Sequence, residues 1–140
     1  MIKHHQDIDL SIIIVNYNVQ AFLEALLRSV FKSKQNLQIE VIVVDNHSSD
    51  GSVEMIRKAY PQICLIVNDE NSGFASANNQ ALQCYRGRYA CLVNPDVLLQ
   101  EDTLETMVSF MDQHPDVGAA GCKVLNPDGS LQLECRRKMP

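Results

Sequence analysis

Short apolar runs rich in β-branched residues alternate along this chain with segments of helical period. The runs are 10–15 (LSIIIV), 39–44 (IEVIVV), 63–67 (ICLIV) and 89–93 (YACLV). Near-continuous apolar strands predict a parallel sheet buried on both faces rather than a half-solvated antiparallel one. Between them, 20–31 places Phe22, Leu23, Leu26, Leu27 and Val30 on one helical face. A second helix runs through Met55 and Ala59, with Asp50 or a neighbouring serine to cap it. A third carries Phe74, Ala77, Ala81 and Cys84 or Tyr85 as its stripe. A fourth opens at Asp102 with Glu105 completing a capping box, and turns Leu104, Met107, Val108 and Met111 inward. Residues 117–121 read as a fifth strand. Pro127, Asp128 and Gly129 make a turn behind which Leu131, Leu133 and Cys135 alternate, as in a C-terminal β-hairpin. The pattern predicts an α/β fold, a three-layer α/β/α sandwich with a mainly parallel sheet and right-handed crossovers.

The 140 residues suit one domain, and 46% apolar composition supplies a core. A net charge of -5 argues against nucleic acid, which requires a clustered basic face; Arg86 and Arg88, and the Arg136, Arg137 and Lys138 group, are too short to reverse it. The five cysteines (Cys64, Cys84, Cys91, Cys122, Cys135) are odd in number and form no C-x-x-C pair. They read as small buried hydrophobes in a reducing cytosol, not as a disulfide framework. No run approaches a membrane span, and the start is polar. His47 and His114 read as surface loop residues, since no metal-ligating histidine spacing occurs.

In an open parallel sheet, ligands bind beyond the carboxyl ends of the strands. Here those ends carry Asn16-Tyr17-Asn18, then Asp45-Asn46-His47-Ser48-Ser49-Asp50-Gly51, then a loop from Asn68 to Phe74 containing Asn71, Ser72 and Gly73, then Asn94-Pro95-Asp96. Four polar loops facing one sheet edge predict a polar cleft. Neither G-x-G-x-x-G nor a Walker loop is present, which sets dinucleotide oxidoreductases and P-loop NTPases aside. A diphosphate can instead be held through a divalent cation on one or two carboxylates, and Asp96 is the best-placed candidate. A receiver-type signalling domain would need an acidic pair after the first strand. A sugar nucleotidyltransferase would need a glycine-rich basic loop there; neither is present.

The segments SIIIVNYN, VIVVDNHSSDGS, NSGFASANNQAL and LVNPDVLL, in this order, resemble the motifs of family-2 glycosyltransferases of the GT-A (nucleotide-diphospho-sugar transferase) type. The rhamnosyltransferase-like branch, in which N-P-D replaces D-x-D, is the nearest, and the similarity covers roughly residues 10–137. The resemblance implies a nucleotide site built from Asn16, Tyr17, Asn18, Asp45, Asn46, Ser48, Asn71, Gly73, Asn79 and Asn94. Asp45 would accept the pyrimidine imide N–H, Gly73 would approach the ligand closely, and Asn79 would point into the cleft. Asp96 would ligate Mg or Mn, with Asn94 leaving a single carboxylate in the motif.

The implied activity is inverting, metal-dependent hexosyl transfer from dTDP-rhamnose or a UDP-sugar. Its acceptor would be a hydroxyl of a glycan or lipid-linked acceptor in cell-surface polysaccharide synthesis. Residues 1–9 read as a polar extension, and 10–140 as a GT-A domain that stops before the acceptor-binding half. The catalytic base is expected beyond residue 140, so donor binding is expected of these residues and turnover is not. A cytoplasmic location at the inner membrane face, peripheral membrane association, and self-association through uncovered apolar surface are further expectations. The alternative is a catalytically inactive nucleotide-sugar-binding or regulatory module.

Overall fold

A computed structural model describes residues 8–132. Its elements are β1 (Leu10–Asn16), α1 (Gln20–Ser33), β2 (Ile39–Asp45), α2 (Ser52–Ala59), β3 (Cys64–Val67), α3 (Phe74–Leu82), β4 (Tyr89–Leu92) and α4 (Thr103–Gln113). The four strands pair in parallel in the order β3-β2-β1-β4. The three-layer α/β/α reading therefore holds. Pairing also takes in the residues just before β1: Arg88 N–H donates to the Ile8 carbonyl at 2.9 Å, and Asp9 N–H to the Gln38 carbonyl at 2.8 Å.

The two faces of the sheet are filled unequally. Ile12 and Ile14 of β1 and Val41 and Val43 of β2 pack with Leu23, Leu26, Leu27 and Val30 of α1, Ile56 of α2, and Leu104 and Val108 of α4. Ile13, Val15, Ile42 and Val44 meet only Ala77 and Ala81 of α3 among buried residues. Both sides of β1 and β2 are thus dry, which is why neither strand alternates in polarity. The small alanines let α3 lie close to the sheet.

Several local expectations change. Phe22 leaves the α1 stripe and is exposed; Leu23, Leu26, Leu27 and Val30 already complete the i, i+3, i+4, i+7 face. Asp102 precedes α4 but makes no side-chain capping bond, because its backbone (φ -101°, ψ 0°) is not the extended one that capping needs. Residues 117–121 form no strand: Gly118, Ala119, Ala120 and Gly121 are exposed and offer little side chain to bury against a neighbour. The hairpin reduces to one antiparallel bridge, Leu125 to Leu131, around the 127–129 turn; Leu133 and Cys135 lie outside the described residues. The cysteines are not buried hydrophobes: Cys64, Cys84 and Cys122 are exposed and Cys91 is half-buried, all as free thiols. Cys64 opens the short β3 and Cys84 lies in the turn after α3, and both are exposed there. Cys135 and the Arg136, Arg137, Lys138 group also lie outside the described residues.

One polar clamp ties the α3–β4 connection to the centre of the sheet. Ser11 Oγ donates to Glu40 Oε1 at 2.6 Å and accepts the Gly87 N–H at 2.8 Å. Arg86 donates its N–H to Glu40 Oε1 at 2.6 Å and its guanidinium to Glu40 Oε2 at 2.9–3.0 Å. Gly87 is required by space: a Cβ there would lie 2.6 Å from the Ser11 backbone nitrogen. Partial burial pushes the Glu40 carboxyl up, but the Ser11 and Arg86 hydrogen bonds outweigh it and hold it below the usual carboxylate range.

Two stability predictions follow from this clamp. Gly87→Ala should destabilise the domain by about 1–3 kcal/mol in urea unfolding, because the methyl group meets backbone that cannot yield. Glu40→Gln should cost about 1–2 kcal/mol at pH 7, since Glu40 is mostly enclosed but its partner Arg86 is largely solvent-exposed. A lowered folded-state pKa means that Glu40 stabilises fully above the ordinary carboxylate range. That contribution is lost as pH falls through the lowered value. The gap between wild type and Glu40→Gln should therefore close in unfolding curves taken from pH 7 to below about 4.

Candidate functional site

The strand order reverses at β1: the chain builds outward through β2 and β3, then returns to place β4 on the other side of β1. This is the switch point at which crevices open in parallel sheets. The in-register pairing of β1 with β2 ends at Asn16 opposite Asp45, so two polar residues meet where the apolar strands stop. The ladder runs one step further, with Asn46 N–H on the Asn16 carbonyl and Asn68 N–H on the Asp45 carbonyl, each at 2.9 Å.

Asn16 and Asp45 are wholly enclosed, each at 0% exposure. Asp45 Oδ2 accepts Asn16 Nδ2 at 2.7 Å, and its Oδ1 accepts the Ser48 N–H at 2.8 Å. Ser48 Oγ accepts the Asn18 N–H at 2.9 Å and Asn16 Nδ2 at 3.1 Å. Asn18 Oδ1 accepts the Ser49 N–H at 2.8 Å, closing the loop after β1 onto the loop after β2. Asn18 takes a left-handed backbone (φ 53°), a conformation asparagine tolerates; exposed His47 does the same at φ 68°. Asn16 Oδ1 is the one buried side-chain oxygen or nitrogen among the described residues that lacks a hydrogen-bond partner.

Asp50 adds a second tie. It accepts the Gln20 N–H at the start of α1 at 2.8 Å and the Ser52 N–H at the start of α2 at 3.0 Å. Desolvation pushes its carboxyl up, but the Ser52 and Gln20 hydrogen bonds prevail and lower it. A carboxylate at two helix N-termini is also favoured by both helix dipoles.

The third loop is an amide lattice. Asn46 Oδ1 accepts Asn68 Nδ2 at 2.9 Å and Ser72 Oγ at 3.2 Å, while Asn46 Nδ2 donates to the Gly73 carbonyl at 3.3 Å. Asn68 and Gln80 exchange two amide hydrogen bonds of 2.9 Å. Asn71 Oδ1 accepts the Gly73 N–H at 3.0 Å. Gly73 has φ 83° and ψ 165°, a region essentially reserved for glycine, whereas a Cβ there would meet nothing within 4 Å. Backbone torsion rather than crowding accounts for it in this structure. Asn79 is exposed, and Gln80, one position on, supplies the amide that enters the lattice.

A cavity of about 270 Å³ lies against this edge, lined by Val15, Tyr17, Val19, Asn46, Asn71, Phe74 and Pro95. A second hollow, of about 330 Å³, lies where Arg88 bridges Asp9 and Asp112, away from these loops. The structure thus joins Asn16, Asn18, Asp45 and Ser48 in one network and Asn46, Asn71 and Gly73 in a second. Tyr17 lines the cavity, and Asn94 and Asp96 are exposed on the loop after β4. Phe74 was assigned to the core-facing stripe of α3, but it is 59% exposed on the cavity. Asn68 and Gln80 carry no individual signal in the sequence beyond their amide chemistry.

No group of three or more metal-ligating side chains occurs among the described residues. Asp96 is a single exposed carboxylate without an intramolecular partner among them. That donor set suits magnesium or manganese, which is bound by one or two carboxylates with substrate phosphates and water. It does not suit a closed structural metal site. No helix among the described residues is long and apolar enough to cross a membrane.

Comparison with known proteins agrees with this geometry. Residues 11–136 match the model for glycosyl transferase family 2. The chain is 24% identical over 139 residues to the N-acetylglucosaminyl-diphospho-decaprenol L-rhamnosyltransferase of Mycobacterium tuberculosis, covering 91% of this chain and 45% of that protein. It superimposes on the structure of Staphylococcus aureus TarS 1-349 in complex with UDP-GlcNAc with a TM-score of 0.67 and 29% identity, covering 77% of this chain and 32% of that one. On mannosyltransferase PcManGT of Pyrobaculum calidifontis, in complex with GDP-Man and Mn2+, the TM-score is 0.74 and the identity 28%, covering 89% and 37%. The chain spans 12–45% of the length of the first curated relatives it matches. With motifs, sheet order and similarity in agreement, the chain belongs to glycosyl transferase family 2 and has the GT-A fold.

Proposed function

We propose that this chain forms the donor-binding part of a glycosyltransferase whose donor is a pyrimidine nucleoside-diphosphate sugar, a UDP-sugar or dTDP-rhamnose. The observation that carries the reading is the switch-point cleft itself. The amide lattice, the Asn16–Asp45–Ser48 network, Tyr17 and the lone Asp96 border one strand edge, and no glycine loop for phosphate is present. TarS, named a poly(ribitol-phosphate) beta-N-acetylglucosaminyltransferase and seen with UDP-GlcNAc, supports the pyrimidine donor; PcManGT, seen with GDP-Man and Mn2+, supports a nucleotide sugar and a divalent cation but carries a purine base.

In this reading Asp96 holds a divalent cation against the diphosphate, with Asn94 beside it. The cation, when bound, supplies charge neutralisation to the leaving diphosphate. Tyr17 and Asn71 border the nucleoside. The imide N–H of the base is accepted by Asp45, which requires the 47–50 turn to give way, because Asp45 is enclosed in the ligand-free arrangement. The Asn16, Asn18 and Ser48 hydrogen bonds hold that turn in place. The acceptor hydroxyl belongs to a cell-surface polysaccharide or its lipid-linked precursor, and the base that deprotonates it comes from outside the donor half. Inversion at the anomeric carbon then follows from direct displacement.

Calorimetric titration of the 140-residue chain tests this. UDP and dTDP should bind more tightly than GDP, and manganese should strengthen binding. Asp96→Ala should abolish the manganese effect while leaving metal-free affinity unchanged. Binding of all three nucleotides with equal affinity, or a manganese effect that survives Asp96→Ala, would contradict the assignment. For Asp45 the discriminating ligand is UDP methylated at the imide nitrogen. It should bind about ten- to a hundredfold more weakly than UDP, the value of one charge-assisted hydrogen bond. Equal affinities would confine Asp45 to holding Asn16 and Ser48.

A further inference from the structure

Phe74 is out of place as a core residue. It opens α3, whose inward stripe is Ala77 and Ala81, and its ring is left 59% exposed. Its backbone, by contrast, is fixed from both sides. The preceding Gly73 is locked in its glycine-only torsion, with its N–H on Asn71 Oδ1 at 3.0 Å and its carbonyl on Asn46 Nδ2 at 3.3 Å. The Phe74 carbonyl accepts Nδ2 of buried Asn78 at 2.9 Å. An aromatic ring is thereby presented to solvent on a rigid base, which is how a preorganised contact is built.

The cavity it enters narrows the choice of occupant. Tyr17, Val15, Val19 and Pro95 make its surface largely apolar and aromatic, and Asn46 and Asn71 complete the lining. No lysine or arginine lines it, so it does not suit a phosphate. A flat ring with apolar faces and polar edges suits it, which describes a nucleobase.

We infer that the Phe74 ring stacks on the base of the bound nucleoside diphosphate and helps set the affinity for the base. This rests on the donor-site reading above. Gly73 and the Asn46 and Asn71 amides then act as positioning groups, aiming the ring rather than touching the diphosphate.

Titration of the full chain with UDP and manganese separates the outcomes. Phe74→Ala and Phe74→Leu should each weaken UDP about ten- to a hundredfold, the loss typical of removing one base–aromatic stack. Phe74→Trp should stay close to wild type, since it keeps a π-face. Leucine preserves apolar bulk, so wild-type affinity in Phe74→Leu would overturn the proposal. Equal weakening in Phe74→Trp would also overturn it, by pointing to disturbance of the α3 start. A wild-type chain that binds no UDP would instead remove the donor-site reading, a result distinct from tight wild-type binding that Phe74 does not influence.

Discussion

The pairing of β1 with β2 is the constraint on which the rest depends. Seven residues of each strand run in register, from Leu10 beside Ile39 to Asn16 beside Asp45. Helices cover both faces, so the interior of this pair admits apolar side chains almost exclusively. Polar groups that chemistry requires can enter only where the strands stop. Parallel strands all stop at the same edge, so the polar ends gather there whichever loop they come from. The buried Asn16–Asp45 hydrogen bond marks that boundary between dry core and wet cleft. An unpaired carboxylate at this depth would be costly, and Asn16 Nδ2 supplies the donor for Asp45 while its own Oδ1 is left without a partner.

The unequal layers shape the cleft. Three helices, α1, α2 and α4, pack one face, while α3 alone packs the other through Ala77 and Ala81. A short helix resting on alanines leaves its first turn beyond the core, and that turn carries Gly73 and Phe74 to the edge where β1 ends. β4 pairs with β1 on one side only among the described residues, and Leu92 on it is exposed. Tyr17 and Phe74 are thus exposed beside the cleft, and Leu92 on the β4 edge.

What the sequence makes legible follows from this physics. The strands and helices were readable because two-sided burial writes continuous apolar runs and one-sided burial writes a helical period. The cleft was readable because its polar residues interrupt those runs at the same end. The register of α3 was not: Asn78, Asn79 and Gln80 are consecutive polar residues, and only docking of Ala77 and Ala81 decides which turn inward. Asn78 is buried and Gln80 bonds Asn68, whereas Asn79 faces solvent. Phe74, Cys64 and Cys84 were misread for one reason. Apolar character says that a side chain tolerates burial, but the neighbouring layer must extend far enough to provide it. At the ends of α3 and β3 it does not. The strand expected at 117–121 fails differently, since its glycines and alanines bring no side chains for a neighbour to hold.

Backbone strain is distributed along the same lines. Among the described residues, six have positive φ, and four of these (Asn18, His47, Gly51 and Gly73) lie in the loops that follow β1, β2 and β3. Such torsions cost a non-glycine residue of order 1–3 kcal/mol each and persist only where surrounding structure over-determines them. Here that structure is visible: Asn18 is pinned by Ser48 and Ser49, and Gly73 by Asn46 and Asn71. His47 has no such tie of its own; its torsion is imposed by Asn46 and Ser48 on either side, both anchored to the ends of β1 and β2. The rigid two-faced core thus supports a rim of strained, interlocked loops. A rim held in that way can present Tyr17 and Phe74 to a ligand without first having to order them.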